Sequence, residues 1–90
     1  MAQEKIEQFL VHVWADAFEK QDITVDGDFF DLGGHSLLAA QLVTKIRETL
    51  KADLSLLTFF DYPTIKELAE QIGQMTFDEQ ALDDFLKIKS

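Results

Sequence analysis

The sequence predicts an all-α protein, a small bundle of three main helices and one short helix with a long first loop. Three observations predict it. Apolar residues recur at helical spacing in separate runs, and serine or threonine stands where several of those runs begin. No stretch alternates apolar with polar residues, and no hairpin dipeptide links two apolar runs. A chain of 90 residues has room for one domain and one core, and its 47% hydrophobic content excludes a disordered chain.

The first helix is predicted over residues 4 to 19, where Ile6, Phe9, Leu10, Val13, Trp14 and Phe18 form an apolar stripe. Residues 20 to 35 follow as a loop containing Gly27, Gly33 and Gly34. It also carries five apolar side chains, Ile23, Val25, Phe29, Phe30 and Leu32, which are expected to pin it across the core. The run from Leu37 to Leu50 holds Leu38, Leu42, Ile46 and Leu50 on one face and reads as the second helix, with Ser36 at its N-terminal edge as a cap. Residues 51 to 56 connect it to a short helical turn from Leu57 to Asp61. The next helix opens with a capping box, Thr64 as N-cap and Glu67 three residues on. Ile65, Leu68, Ala69 and Ile72 form its buried stripe, and Gly73 marks its end. A second capping-box spacing, Thr76 to Glu79, opens a last amphipathic segment with Phe77, Ala81, Leu82, Phe85 and Leu86 on one side. Residues 1–75 thus read as one domain and 76–90 as an acidic tail.

Composition excludes several function classes. With 17 acids against 8 bases, a formal net charge of -9 and a pI near 4.4, neither nucleic acid nor an anionic membrane is the expected partner. The acid is concentrated. Asp16, Glu19, Asp22, Asp26, Asp28 and Asp31 face only Lys20 over residues 16 to 31, whereas the middle of the chain is nearly neutral. Without cysteine there is no disulfide scaffold, thiolate metal site or thiol nucleophile. The first residues lack a basic start followed by an apolar run, so no secretory signal is expected and the cytoplasm is the default location.

One stretch carries chemistry: Asp28-Phe29-Phe30-Asp31-Leu32-Gly33-Gly34-His35-Ser36-Leu37. A serine after two glycines begins a helix, where free N–H groups and the positive end of the dipole suit a phosphate. Local physics alone leaves Ser36 an ordinary N-cap after a glycine turn. The longer stretch, however, resembles the phosphopantetheine attachment motif of carrier proteins, in the Gly-Gly-His-Ser-Leu form of peptidyl carrier (thiolation) domains of nonribosomal peptide synthetases. Phe60-Asp61-Tyr62-Pro63-Thr64-Ile65 resembles that family's junction between the third and fourth helices.

The resemblance covers residues 4 to 74 and implies an acyl-carrier-like four-helix bundle. A phosphopantetheinyl transferase would attach 4'-phosphopantetheine from coenzyme A to Ser36, flanked by the motif residues Gly34 and His35. An adenylation domain would load an aminoacyl group as a thioester, and a condensation or tailoring domain would receive it. The protein itself would be a non-catalytic carrier, monomeric in isolation, with no metal site. Two other readings remain, an acyl carrier for polyketide or other acyl substrates and a non-catalytic adaptor with Ser36 unmodified. An Asp-Ser-Leu helix start would favour the former, and His35-Ser36-Leu37 disfavours it.

Other patterns fail. Gly34-His35-Ser36-Leu37-Leu38 lacks the second glycine of a hydrolase nucleophile elbow. The stretch from Asp22 has Thr24 and Gly33 where a calcium loop needs an acidic or amide residue and a glutamate. Leu37 lies about 100 degrees off the buried stripe of its helix and is expected to be half exposed, and the resemblance implies a partner contact for the residue after the serine. Phe60 matches the buried junction phenylalanine, leaving Phe59 as either core or partner contact. The tail either packs back as a fifth helix or docks on the next protein of an assembly line through exposed Phe77, Leu82, Phe85 and Leu86.

Overall fold

The computed structural model describes residues 2–89. Five helices follow in order, α1 Ala2–Phe18, α2 Ser36–Leu50, α3 Leu56–Asp61, α4 Ile65–Gly73 and α5 Glu79–Lys89. The all-α bundle and its long first loop are as the sequence predicts, with α5 added. Helix α1 lies against α4 and α5, and α2 against α3 and α5.

Each helix buries the stripe its spacing marks. Ile6, Phe9, Leu10, Val13 and Trp14 of α1 meet Leu42, Ile46 and Leu50 of α2 and Ile65, Leu68, Ala69 and Ile72 of α4 in one core. Ala39 and Val43 complete the inner face of α2, whereas Leu38 is only half buried. Among the described residues no polar or charged residue is buried, so hydrophobic burial is the principal source of cohesion. The capping box of α4 forms as expected: Thr64 Oγ1 accepts the Glu67 N–H at 3.1 Å and donates to the Glu67 carboxylate at 2.9 Å.

The centre of the core is aromatic. Trp14 stacks on Phe59 at 5.7 Å, and Phe29 meets both edge-on, at 5.9 Å from Trp14 and 4.9 Å from Phe59. The Trp14 indole N–H has no acceptor among the described residues. Phe29 comes from the first loop, which it ties down together with two backbone bonds: Phe29 N–H to the Pro63 carbonyl and Lys66 N–H to the Val25 carbonyl, both 2.9 Å. Ile23, Val25 and Leu32 pack against the core as expected, whereas Phe30 stays 39% exposed. The loop is thus fastened to the entrance of α4 although it shares no helix with it.

Two expectations are corrected. Helix α3 begins at Leu56, because Ser55 Oγ accepts the Thr58 N–H at 3.1 Å. This register turns Phe59 inward to 0% exposure under Trp14, and Phe60 is the half-buried one, 5.8 Å from Phe30. Phe59 is therefore core, not a partner contact.

The tail is the second correction. Its N-cap is Asp78, whose carboxylate accepts the Ala81 N–H at 3.0 Å, and not Thr76. The Asp78 N–H reaches the Leu50 carbonyl at 2.6 Å and sets α5 against the end of α2. The stripe faces inward. Leu82 is 2% exposed, Phe77, Phe85 and Leu86 are half buried on the core, and Phe85 meets Phe9 edge-on at 4.8 Å. These four side chains are not free docking contacts, because α1 and α2 already supply the apolar surface they need. Lys5 pairs with Asp83 at 3.0 Å, an exposed ion pair that contributes little. Replacing Leu82 by Ala is expected to lower stability by about 2 to 3 kcal/mol, read as a lowered urea midpoint; an unchanged midpoint would mean that α5 does not contribute to the core.

Candidate functional site

The turn that leads into α2 is built by tight backbone bonds. Leu32 N–H donates to the Asp28 carbonyl, Gly33 N–H to Phe30 and Gly34 N–H to Phe29, each at 3.1 Å. The Asp28 carboxylate accepts the N–H groups of Phe30 at 2.7 Å and Asp31 at 3.4 Å, so this acid caps the turn.

The two glycines serve different needs. Gly33 has φ +103°, a conformation that side-chain-bearing residues avoid, and open space surrounds it. Gly34 is required for contact, because a Cβ there would overlap the Phe29 ring. Gly34 therefore fits the loop to its anchor, and the space a side chain would take is filled by phenylalanine rather than left open for a reagent.

His35 has an extended backbone, φ -140° and ψ 172°, and is the N-cap of α2. Its Nδ1 accepts the Leu38 N–H at 3.3 Å, and its carbonyl accepts the Ala39 N–H at 2.9 Å. The sequence-based expectation that Ser36 caps the helix is thus corrected by one residue. Ser36 is the first helical residue and is exposed. Among the described residues its hydroxyl has no hydrogen-bond partner. Its N–H and that of Leu37 belong to the unpaired first turn, which with the helix dipole suits an anionic ester on the neighbouring hydroxyl.

Leu37 is 66% exposed, as its angle on the helix predicts. Sequence reasoning missed Leu57, which is 76% exposed at the start of α3, the helix that packs on α2. The signal was the doublet pattern: of Leu56-Leu57 and Phe59-Phe60, a short helix can turn only part inward. His12, the second histidine, lies on α1 with its ring 6.0 Å from Phe85, and the structure does not bring it to Ser36. Gly34, His35, Ser36 and Leu37 lie together at the start of α2. Phe77, Leu82, Phe85 and Leu86 lie apart from it at the α5 packing surface.

A family model described as "Phosphopantetheine attachment site" matches residues 8–72. The dimodular nonribosomal peptide synthase of Bacillus subtilis (strain 168) is 39% identical over 84 residues, 93% of this chain and 4% of that protein. The chain spans 1% to 4% of the length of the curated relatives it matches. Among solved structures, the Pax NRPS complex PaxA T1-CDD/PaxB NDD, a non-covalent extended docking domain complex, aligns with a TM-score of 0.73 and 36% identity over 91% of this chain and 82% of that one. The structure of the phosphopantetheine transferase Sfp with coenzyme A and a peptidyl carrier protein aligns with a TM-score of 0.72 and 29% identity over 76% of this chain and 88% of that one. The chain belongs to the phosphopantetheine attachment-site family, as a peptidyl carrier domain of the kind used in nonribosomal peptide synthesis, with 4'-phosphopantetheine as its prosthetic group.

Proposed function

We propose that Ser36 Oγ is the atom that bears the 4'-phosphopantetheine arm, and that the domain carries aminoacyl or peptidyl groups between synthetase domains without catalysing a step itself. The observation that carries the reading is the exposed, unpartnered hydroxyl on the first turn of α2, beside unpaired N–H groups. Attachment joins Oγ to phosphorus as the pyrophosphate bond of coenzyme A breaks. The serine proton is lost and adenosine bisphosphate leaves. When bound, the arm supplies the thiol that this cysteine-free chain lacks.

The chain's own residues supply position and recognition. Ser36 fixes the attachment point to a helix packed on the core, not to a loop tip. Leu37 and Leu57 offer exposed apolar contacts for the transferase, for an adenylation domain and for a condensation or tailoring domain. The net charge of -9 favours partners with basic rims. No helix among the described residues is long and apolar enough to cross a membrane, and dependence on coenzyme A supports a cytoplasmic setting.

Docking on a downstream protein stays part of the reading but moves to the other side of α5. The alignment with the Pax docking complex covers 91% of this chain and supports a docking role for the C-terminal helix. With Leu82 buried, the available apolar contact is Ile88, 80% exposed near the end of α5.

Incubation with coenzyme A and a promiscuous transferase is expected to raise the intact mass by one phosphopantetheine. Ser36→Ala should gain none at an unchanged melting temperature. A folded wild-type chain whose mass stays constant would eliminate the carrier reading. Leu37→Glu is expected to slow transfer to a partner domain about tenfold without changing thermal stability, whereas a large drop in stability would place Leu37 in the core. Ile88→Glu should leave mass gain intact and weaken transfer to the downstream protein; unchanged transfer would refute docking through α5.

A further inference from the structure

We propose that His35 is a positioning residue for attachment: by capping α2 it keeps the Ser36 hydroxyl free to react. The inference rests on Ser36 being the attachment point and adds what makes it available. Serine is among the preferred N-cap residues, and a capping serine has its oxygen committed to an N–H of the first turn. Had the helix begun one residue later, Ser36 Oγ would take the N–H of Ala39, three residues on, the spacing at which Ser55, Thr64 and Asp78 cap their helices.

That N–H and the one before it are both occupied, and the same residue occupies them. Leu38 donates to His35 Nδ1 at 3.3 Å, and Ala39 donates to the His35 carbonyl at 2.9 Å. Nδ1 can accept only when the ring proton is on Nε2, so this cap requires the neutral Nε2–H tautomer. The loop favours this register. The turn at Gly33 and the contact of Gly34 with Phe29 fix the chain just before His35, which enters in an extended conformation suited to a cap. Ser36 is left in helical backbone one residue inside the cap, where its hydroxyl takes none of the first-turn N–H groups. Its hydroxyl faces solvent with no intramolecular partner among the described residues.

Removing the imidazole removes this arrangement. In His35→Ala the side-chain cap is lost, and Ser36 becomes the better cap of the two residues. The helix start then shifts by one residue in part of the population, and in that part Oγ is engaged. A typical preference for serine over alanine at an N-cap shifts the balance toward the engaged form by about fivefold. The expected loss is of that order in kcat/KM for modification, because only the uncapped fraction is competent. Asparagine restores a side-chain acceptor without the ring.

The test uses the full chain, coenzyme A and a promiscuous transferase, with intact mass followed over time and hydrogen exchange read at the Leu38 amide. His35→Ala is expected to load about fivefold more slowly and to lose Leu38 protection by about the same factor, with the overall fold unchanged by circular dichroism. His35→Asn should restore both to within about twofold of wild type. Wild-type loading in His35→Ala overturns the proposal. So does slow loading in both variants with the Leu38 amide still protected, which would mean that the ring touches the transferase. Failure of the attachment-site reading itself is seen separately, in a wild-type chain that gains no mass or in a Ser36→Ala chain that does.

Discussion

The position of Ser36 depends on the burial of the Phe29 ring. That ring comes from a loop yet sits at the centre of the core, against Trp14 of α1 and Phe59 of α3. From there it acts in two directions. Its backbone N–H fastens the loop to Pro63 at the entrance of α4. Its face leaves no space for a Cβ at Gly34, which fixes the path of the chain one residue before the cap of α2. A flexible loop could not hold a reactive hydroxyl in a constant place. A loop with an apolar side chain buried at its centre can, since withdrawing a ring of that size costs several kcal/mol by removing its contacts and leaving a cavity.

The sequence made the fold legible wherever side-chain spacing carries the information. The stripes of α1, α2 and α4 recur at the helical period, and the Thr64–Glu67 capping box is a local signal that the structure reproduces bond for bond. Three features lay beyond that reach. Residue type alone assigns the cap of α2 to Ser36, but the real cap is decided by where helical backbone begins, and the loop anchored by Phe29 delivers His35 to that position. Phe59 and Phe60 are chemically identical neighbours in a six-residue helix, so a one-residue change of register exchanges their roles. The stripe of α5 shows that a face will be covered but not by what. Here the cover is Phe9 and its neighbours within the same chain. Within the site, Ser36 and Leu37 were legible from the motif and the helix angle, while the separate needs for Gly33 and Gly34 became visible only with backbone angles and the Phe29 ring in place.

The treatment of α5 shows how little separates a domain from an appendage in a chain this small. An isolated helix of 11 residues is marginal in water. Docking it on α1 and α2 buries Leu82 and shields Phe9, so the helix gains order and the core gains cover. Its start is tied by the Asp78 N–H to the end of α2, and its last turn places Lys89 over the Phe85 ring, 5.8 Å from the centroid. The family match ends at residue 72, so this cover is an addition to the bundle that bears the attachment motif. Any partner that reads α5 meets a helix already in place, and recognition then needs no folding step on that side.

Trp14 is the chain's single tryptophan, and its indole packs against both Phe29, which ties down the first loop, and Phe59 of α3. Its N–H, lacking an acceptor among the described residues, senses an apolar medium. The molecule therefore contains an intrinsic fluorophore at the point where loop anchoring and helix packing meet. Its emission reports, without any added label, whether the platform beneath the serine is closed.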